Sequence, residues 1–427
     1  MADDAADDAA PAPKRARTDG EGDTNPPPTG PTRQQVVCLG KTSEPAALGS
    51  LLGEALSARP PLPDCWRKYQ DANVLAPMVR VGHLPLRLLA LDYGANLVYS
   101  PETIDRRLMS CRRETDAVTQ VTSFVDRDNK NLLQTCDLER DAFVVQIGTN
   151  DPANALKAAE VVANDCCAID VNMGCPKAFS TQGAMGSRLL KDPERARDIM
   201  TTLRRNLPSN IHVTCKIRLL ETSEETVSFA KQMENCGISA LGVHARYVPQ
   251  RPREPAHWKL VKPVVEALSI PVILSGDVYC YEDFAQARDD LGVAAAMTAR
   301  GAQWNASIFR KDGFLPSMDV RKALLQKCAL LDHTPQLVKF TIQEMMMAPG
   351  HFYRAKSDAP VMKLNTPLGR RLTESKSLRE ICDAHGLVKY FDAAKALRER
   401  RATEGEARGL HPLHAMHAEV LKACESR

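Results

Sequence analysis

From Asn73 to about Phe309, short runs rich in apolar and β-branched residues alternate with longer segments whose apolar positions recur at helical spacing. The runs Val74–Met78, Asn96–Ser100, Phe143–Gly148, Ala168–Met173, Val213–Leu219, Ala240–Ala245, Pro271–Ser275 and Ala294–Ala299 predict eight strands. Helices are predicted at Pro85–Leu91, at Pro152–Asn164 with Asp151 as N-cap, at Pro193–Asn206, and at Ser223–Cys236 with Gly237 just beyond. Further helices follow at Trp258–Leu268, Tyr281–Arg288 and Asn305–Lys311. Eight strands in strict alternation with helices predict an α/β fold of the (β/α)8 TIM-barrel type, because a doubly wound sheet usually stops at about six strands. Both faces of a barrel strand are covered, so the strands are expected to lack polar and apolar alternation.

The flanks read differently. Residues 1–63 are rich in Asp, Ala, Pro and Gly with little periodic apolar content, which predicts a largely disordered leader. Within it, Pro13-Lys14-Arg15-Ala16-Arg17 suits either a nuclear import signal or a solvated charge run. After the barrel, expected over 73–310, helical spacing at Pro335–Met347 and Ser375–His385 predicts a small all-helical domain over 317–391, followed by a charged tail over 392–427. Net charge is only +3, yet the chain from Lys311 onward has 20 Lys and Arg against 14 Asp and Glu. That basic excess suits an anionic partner. The 13 cysteines are odd in number and form no C-x2-C pair, so they are read as reduced thiols. The opening lacks the pattern of a secretory signal, and no apolar run approaches the roughly 20 residues that span a bilayer. A cytoplasmic protein is expected, with the nucleus as an alternative address, and without a membrane span. His411, His414 and His417 recur every three residues near Cys424, but no second ligand pair accompanies them, so no metal site is assigned.

A barrel collects its reactive groups at the C-terminal ends of its strands. There the sequence delivers Ala76-Pro77-Met78-Val79, Gln146, Asn172 and Cys175, Lys216 and Arg218, His244 and Arg246, Ser275-Gly276-Asp277, and Ala299-Arg300-Gly301. The glycines after the last two strands suit a phosphate, and an amide, a cation and an imidazole nearby suit a flat heterocycle. Flavin mononucleotide fits that description. Cys175 follows an apolar strand and precedes the small-residue loop Ser180–Ser187, with Gly183 and Gly186 as expected hinges. No paired base stands at a recognisable spacing to make it a thiolate nucleophile, which favours a general acid.

The blocks Leu75-Ala76-Pro77-Met78, Val145-Gln146-Ile147-Gly148, Asp170-Val171-Asn172-Met173-Gly174-Cys175-Pro176, Cys215-Lys216-Ile217-Arg218, Val243-His244-Ala245-Arg246 and Ala299-Arg300-Gly301 resemble the tRNA-dihydrouridine synthases. The likeness covers about Asn73 to Phe391 and is nearest the eukaryotic branch that modifies position 20. It implies a flavin-binding barrel followed by a helical domain. FMN would be held by the backbone of Pro77, Met78 and Val79, by the side chains of Gln146, Lys216 and His244, and at its phosphate by Ser275, Gly276, Asp277, Ala299 and Arg300. The implied reaction uses NADPH, with NADH as an alternative, to convert a D-loop uridine of tRNA to 5,6-dihydrouridine. Hydride passes from flavin N5 to uracil C6, and Cys175 protonates C5. Asn172, Arg218 and Arg246 would face the substrate, and Lys339, Arg370 and Arg371 of the helical domain would grip the tRNA. The animal branch appends a double-stranded-RNA-binding domain, for which the residues after Phe391 are too few. A monomer is expected. The alternatives are an FMN barrel acting on a free pyrimidine, which has no need of a basic lobe, and a non-catalytic RNA-binding barrel, which has no need of Cys175 beside Lys216.

Overall fold

The computed structural model describes residues 64–348, 366–404 and 412–425. The expected leader, Pro349 and His411 lie outside them. In chain order the strands are β1 (Ala72–Leu75), β2 (Leu97–Tyr99), β3 (Thr103–Ile104), β4 (Arg112–Thr115), β5 (Thr122–Val125) and β6 (Asn131–Thr135). They continue with β7 (Phe143–Gly148), β8 (Ala168–Met173), β9 (His212–Leu219), β10 (Ala240–Tyr247), β11 (Val272–Ser275) and β12 (Ala295–Thr298). Strands β1, β2 and β7 to β12 pair in parallel, and β2 closes onto β7, so eight strands form a barrel. Every strand read from the apolar runs is present, two with the expected ends and the others with ends moved by at most three residues.

Helices α1 (Leu84–Asp92), α2 (Pro152–Val162), α3 (Pro193–Asn206), α4 (Ser223–Asn235) and α5 (Tyr281–Leu291) surround it. Their starts are written locally. Asp151 accepts the Asn154 N–H at 2.8 Å, Pro152 and Pro193 occupy first-turn positions, and Thr222 with Glu225 forms a reciprocal capping box. Gly237, at φ 81°, ends the turn after α4 in the left-handed region that favours glycine.

Between β3 and β7 the chain inserts an antiparallel sheet, β4-β5-β6, that the apolar pattern did not show. All four residues of β4 are exposed polar ones, so no core-facing alternation marks it. Its anchor is a buried ion pair. Arg87 of α1 forks onto both oxygens of Glu139 at 2.9 and 2.7 Å and donates to the carbonyls of Gly82 and Gln134, with its guanidinium 4.3 Å from the Phe143 ring centroid.

The lobe after the barrel is helical: α6 (Ser317–Leu330), α7 (Pro335–Met346), α8 (Pro367–Glu374), α9 (Leu378–Ala384), α10 (Val388–Glu404) and α11 (Pro412–Glu425). A boundary at Phe391 therefore falls inside α10, and the segment read as a charged tail folds onto the lobe. Met416 and Val420 of α11 are buried in one apolar cluster with Leu324 of α6, Ala394 of α10 and the outer faces of the barrel strands. Mixed charges on the exposed faces of α10 and α11 masked these few buried positions. Among the described residues no helix is long and apolar enough to cross a membrane.

Candidate active site at the barrel mouth

Side chains alternate between the two faces of a strand, and this decides what enters the barrel. In β8, Ile169, Val171 and Met173 pack outward against helices, leaving Ala168, Asp170 and Asn172 inside. β9 sorts Val213, Cys215 and Ile217 outward and Thr214, Lys216 and Arg218 inward, and β10 sorts Leu241, Val243 and Ala245 outward and Gly242, His244 and Arg246 inward. These strands do alternate, against the expectation above, because the upper half of the barrel interior is polar. In register Asn172 lies beside Lys216, Lys216 beside Gly242, Arg218 beside His244, and His244 beside Ser275.

Three groups of residues result. At the floor, Gln146 donates its side-chain N–H to Asp170 at 2.9 Å, and the Thr214 hydroxyl donates to the same carboxyl at 2.7 Å. Burial pushes Asp170 up to about 6 against these hydrogen bonds and the Lys216 charge. Burial first, and then Arg218, draw the Lys216 ammonium down to about 8, with Asp170 opposing. Gly242 makes room for that lysine, since a Cβ there would lie 3.1 Å from Lys216 Cγ.

At the second corner, Arg246 is 3% exposed and fully engaged. It donates to the Glu254 carbonyl at 2.7 Å, to Asp277 at 2.5 Å and to His244 Nε2 at 3.1 Å. Arg300 joins Asp277 at 2.8 Å, and Tyr279 donates its hydroxyl to the same oxygen at 3.0 Å. Burial alone would raise the Asp277 carboxyl, but Arg246, the Ala256 N–H and Tyr279 hold it below the usual range. Burial, followed by Lys216, Arg218, Arg246 and Arg300, holds His244 far below the ordinary imidazole range, so the ring is neutral. Because Nε2 accepts from Arg246, Nδ1 carries the hydrogen. Gly276, at φ 118°, lets the backbone pass close to its neighbours: a Cβ would sit 3.0 Å from Ala256 Cβ and 3.2 Å from His244 Cδ2. Gly301 serves packing instead, since a Cβ there would meet Ile308, Thr298 and Val278 within 2.8 Å.

The third group is the Cys175 loop. The Asn172 side-chain oxygen accepts the N–H groups of Gly174 and Cys175 at 2.9 and 3.0 Å, and Ser187 donates its N–H to the Cys175 carbonyl at 3.0 Å. Gly186, at φ 58°, is a packing joint rather than a hinge: a Cβ would lie 2.4 Å from Ser180 Oγ and 2.6 Å from the Cys175 carbonyl oxygen. The thiol is half-buried, and burial raises it above the ordinary cysteine value. On the opposite rim, Met78 accepts the Gly82 N–H at 2.9 Å, Arg80 takes φ 69° with its guanidinium 5.3 Å from the Phe340 ring centroid of α7, and Val79 is 52% exposed. Pro77 lies on the same turn.

Two arginines expected to face substrate are thus engaged elsewhere: Arg246 at the Asp277 corner, and Arg218 on the carbonyls of Tyr247 and Gln250 at 3.0 and 3.1 Å. In the lobe, Lys339 donates to the carbonyls of Thr373 and Ser375, and Arg371 pairs with Asp383 at 2.9 Å. Lys339 therefore caps the end of α8. Three polar residues escaped the sequence reading. Asp170 and Thr214 each stand two residues before a predicted site residue, a spacing that marked them, and Glu102 follows Ser100-Pro101 immediately after β2.

A closed parallel barrel with buried cations, a neutral imidazole and a thiol gathered at one mouth is a (β/α)8 barrel with its polar groups at the C-terminal ends of the strands. A family model described as dihydrouridine synthase (Dus) matches residues 74–354. The chain belongs to that family. It is 37% identical over 287 residues to a Schizosaccharomyces pombe protein named tRNA-dihydrouridine(20) synthase [NAD(P)+], covering 65% of this chain and 60% of that one. A Saccharomyces cerevisiae protein of the same name is 38% identical over 222 residues, covering 49% and 58%. The chain thus spans about 60% of the length of these relatives. A Schizosaccharomyces pombe tRNA-dihydrouridine(16/17) synthase [NAD(P)(+)] is 27% identical over 345 residues, covering 79% and 80%.

Proposed function

We propose that this protein is a flavin-dependent tRNA-dihydrouridine synthase that reduces a uridine of the tRNA D-loop, at position 20, with NADPH or NADH. The observation that carries the reading is the half-buried Cys175 thiol held at the mouth of a lumen that presents Lys216 and a neutral His244. The names of the relatives support the tRNA substrate and, for two of them, the position.

The donor set fits FMN. Lys216 and the Nδ1–H of His244 would offer hydrogens to the ring, and Gln146, one of whose two amide N–H groups is spent on Asp170, would have the other and its carbonyl oxygen for it. Arg300, Gly276, Ser275, Asp277 and Ala299 would form the phosphate end, where Arg246 would act through His244 and Asp277. Pro77, Met78 and Val79 would border the ring from the first loop. Bound FMN would supply the hydride that saturates the uracil at C6, with NADPH as its source.

The chain's own work is protonic and steric. Cys175 gives its proton to C5, for which a thiol raised above its ordinary pKa is suited and a thiolate is not. Lys216 steadies negative charge beside the ring. Asn172 fixes the direction of Cys175 through its two backbone bonds. A uridine must leave its stack to reach this depth, and the basic excess of the lobe supports a grip on the RNA backbone during that step.

The test is direct. Purified protein should show bound oxidised flavin and should form dihydrouridine in tRNA supplied with NADPH. Cys175→Ala should keep flavin reduction by NADPH while uridine reduction falls about 100-fold or more. Equal turnover by the mutant would remove Cys175 from the reaction.

A further inference from the structure

Among the groups that act on the Cys175 thiol, Glu102 is the anionic one, and the mechanism above does not use it. It stands on the mouth-side loop after β2, the one barrel strand for which the sequence offered no reactive group. Its carboxyl is seated against the backbone of β7, where a Cβ on Gly148 would lie 2.6 Å from Glu102 Oε1. The Ser180 hydroxyl donates to that oxygen at 3.3 Å, and the Asn172 amide and the Cys175 thiol stand close enough to the carboxyl to draw its pKa down against burial. No ion pair among the described residues includes it, and the thiol is the ionisable group among those that act on its carboxyl. Burial raises the carboxyl above the ordinary glutamate value, and after burial itself the Glu102 charge is among the influences that raise the thiol.

The geometry joins the two groups from both sides. Asn172 accepts the Cys175 N–H through its side-chain oxygen, and a Cβ on Gly186 would lie 2.4 Å from Ser180 Oγ and 3.2 Å from Cys175 Cβ, which places the Ser180 hydroxyl between the two groups. Ser180 reaches Glu102 from the loop that Gly186 closes over Cys175. Two adjacent anions in a half-buried pocket repel, so such a pair holds on to one proton through neutral pH.

We propose that Glu102 is a positioning residue for the reaction: its carboxyl pairs with the Cys175 thiol so that the two groups together retain one proton, which is restored to sulfur after each transfer to the substrate carbon. This rests on Cys175 being the proton donor of the proposed reaction. When the S–H bond breaks and the C5–H bond forms, the pair is left doubly anionic. It then takes a proton from water, whose hydroxide passes to the bulk buffer, and the S–H bond is remade. No electrons move in this step. The other charges facing the sulfur are Lys177 on its own loop and Lys216 and Arg218 on β9, all cationic. Glu102 is the anion that offsets them.

The experiment compares full-length wild type, Glu102→Gln and Glu102→Asp, each checked for bound flavin and thermal stability. Iodoacetamide alkylation of the Cys175 peptide is followed by mass spectrometry across pH 6 to 10, roughly the span in which thiols ionise. Glu102→Gln should alkylate about tenfold faster near neutrality, with its profile moved to lower pH, while Glu102→Asp stays close to wild type. The alkaline limb of tRNA-dependent turnover should move down with it. Identical alkylation profiles for Glu102→Gln and wild type overturn the pairing. A shifted profile with an unmoved turnover limb overturns the return of the proton. Absence of uridine reduction in wild type would sink the proposed function, and the alkylation comparison would still decide the pairing.

Discussion

Lys216→Met tests whether the barrel interior is built for a bound anion at the expense of its own stability. An ordinary lysine ionises near 10.5, and Lys216 is drawn down to about 8 by burial and by Arg218. A fall of that size corresponds to about 3 kcal/mol by which the folded chain disfavours the charged form. The sign follows from linkage. Between about 8 and 10.5 the unfolded lysine binds the proton that the folded one has lost, so stability rises with pH across that window, and the full penalty stands below it. Methionine fills the same channel over Gly242 without the charge. Losing the ammonium also removes the neighbour that keeps Asp170 ionised, and that carboxyl, already near 6, can take up a proton rather than stay an isolated anion. In flavin-free protein at pH 7, urea unfolding should therefore show Lys216→Met more stable than wild type by about 1–3 kcal/mol, with the gap shrinking as pH approaches 10. Flavin affinity should fall in the same variant. A mutant less stable than wild type at pH 7, or a gap independent of pH, would show that the ammonium is compensated inside the fold and would refute the reasoning.

Two further outcomes follow from contacts around the same site. Gly242→Ala places a methyl 3.1 Å from Lys216 Cγ, so it should cost about 1–3 kcal/mol in thermal or urea unfolding and weaken flavin binding by displacing the lysine; unchanged flavin affinity would show that Lys216 is not a contact. Arg87→Ala strands Glu139, which has no exposure, and should cost about 3–5 kcal/mol, whereas Arg87→Met with Glu139→Met should recover most of it. Urea midpoints of the single and double variants decide that, and equal losses would mean that the pair is not what anchors the inserted sheet.

The barrel was legible because its strands are rich in apolar and β-branched residues and three of the intervening helices start at the caps Asp151, Asp192 and Thr222, and those local signals agree with the closed sheet. The inserted sheet was not legible, since β4 reads Arg-Arg-Glu-Thr and buries nothing of its own; its place depends on Arg87 and Arg113, which reach Glu139 and Asp165 52 residues away. Tail helix α11 was hidden for a related reason. Three buried residues, Leu413, Met416 and Val420, carry its contact with the lobe, and they are too sparse among polar neighbours to show as a stripe.

The site was legible in part, and the gap has a single cause. Lys216, His244 and Cys175 stood out as chemistry-bearing residues at strand ends, but their partners are set by pairing across strands, which one chain segment does not display. Alternation was present all along. Thr214, Lys216 and Arg218 occupy every second position of β9, as Asp170 and Asn172 do in β8, and in an all-parallel barrel a polar residue at every second position can only face the lumen or the helices. A lumen lined this way cannot be filled by its own side chains without leaving cations uncompensated, which is why Lys216 is depressed and why Arg218 turns to the carbonyls of Tyr247 and Gln250. The same register argument relocates Arg246. It stands two residues beyond His244 on the inner face, and Asp277 and the Glu254 carbonyl hold it there. Its charge therefore serves to keep His244 neutral and to organise the corner that would receive a phosphate, and the positive charge that an RNA meets must come from other residues.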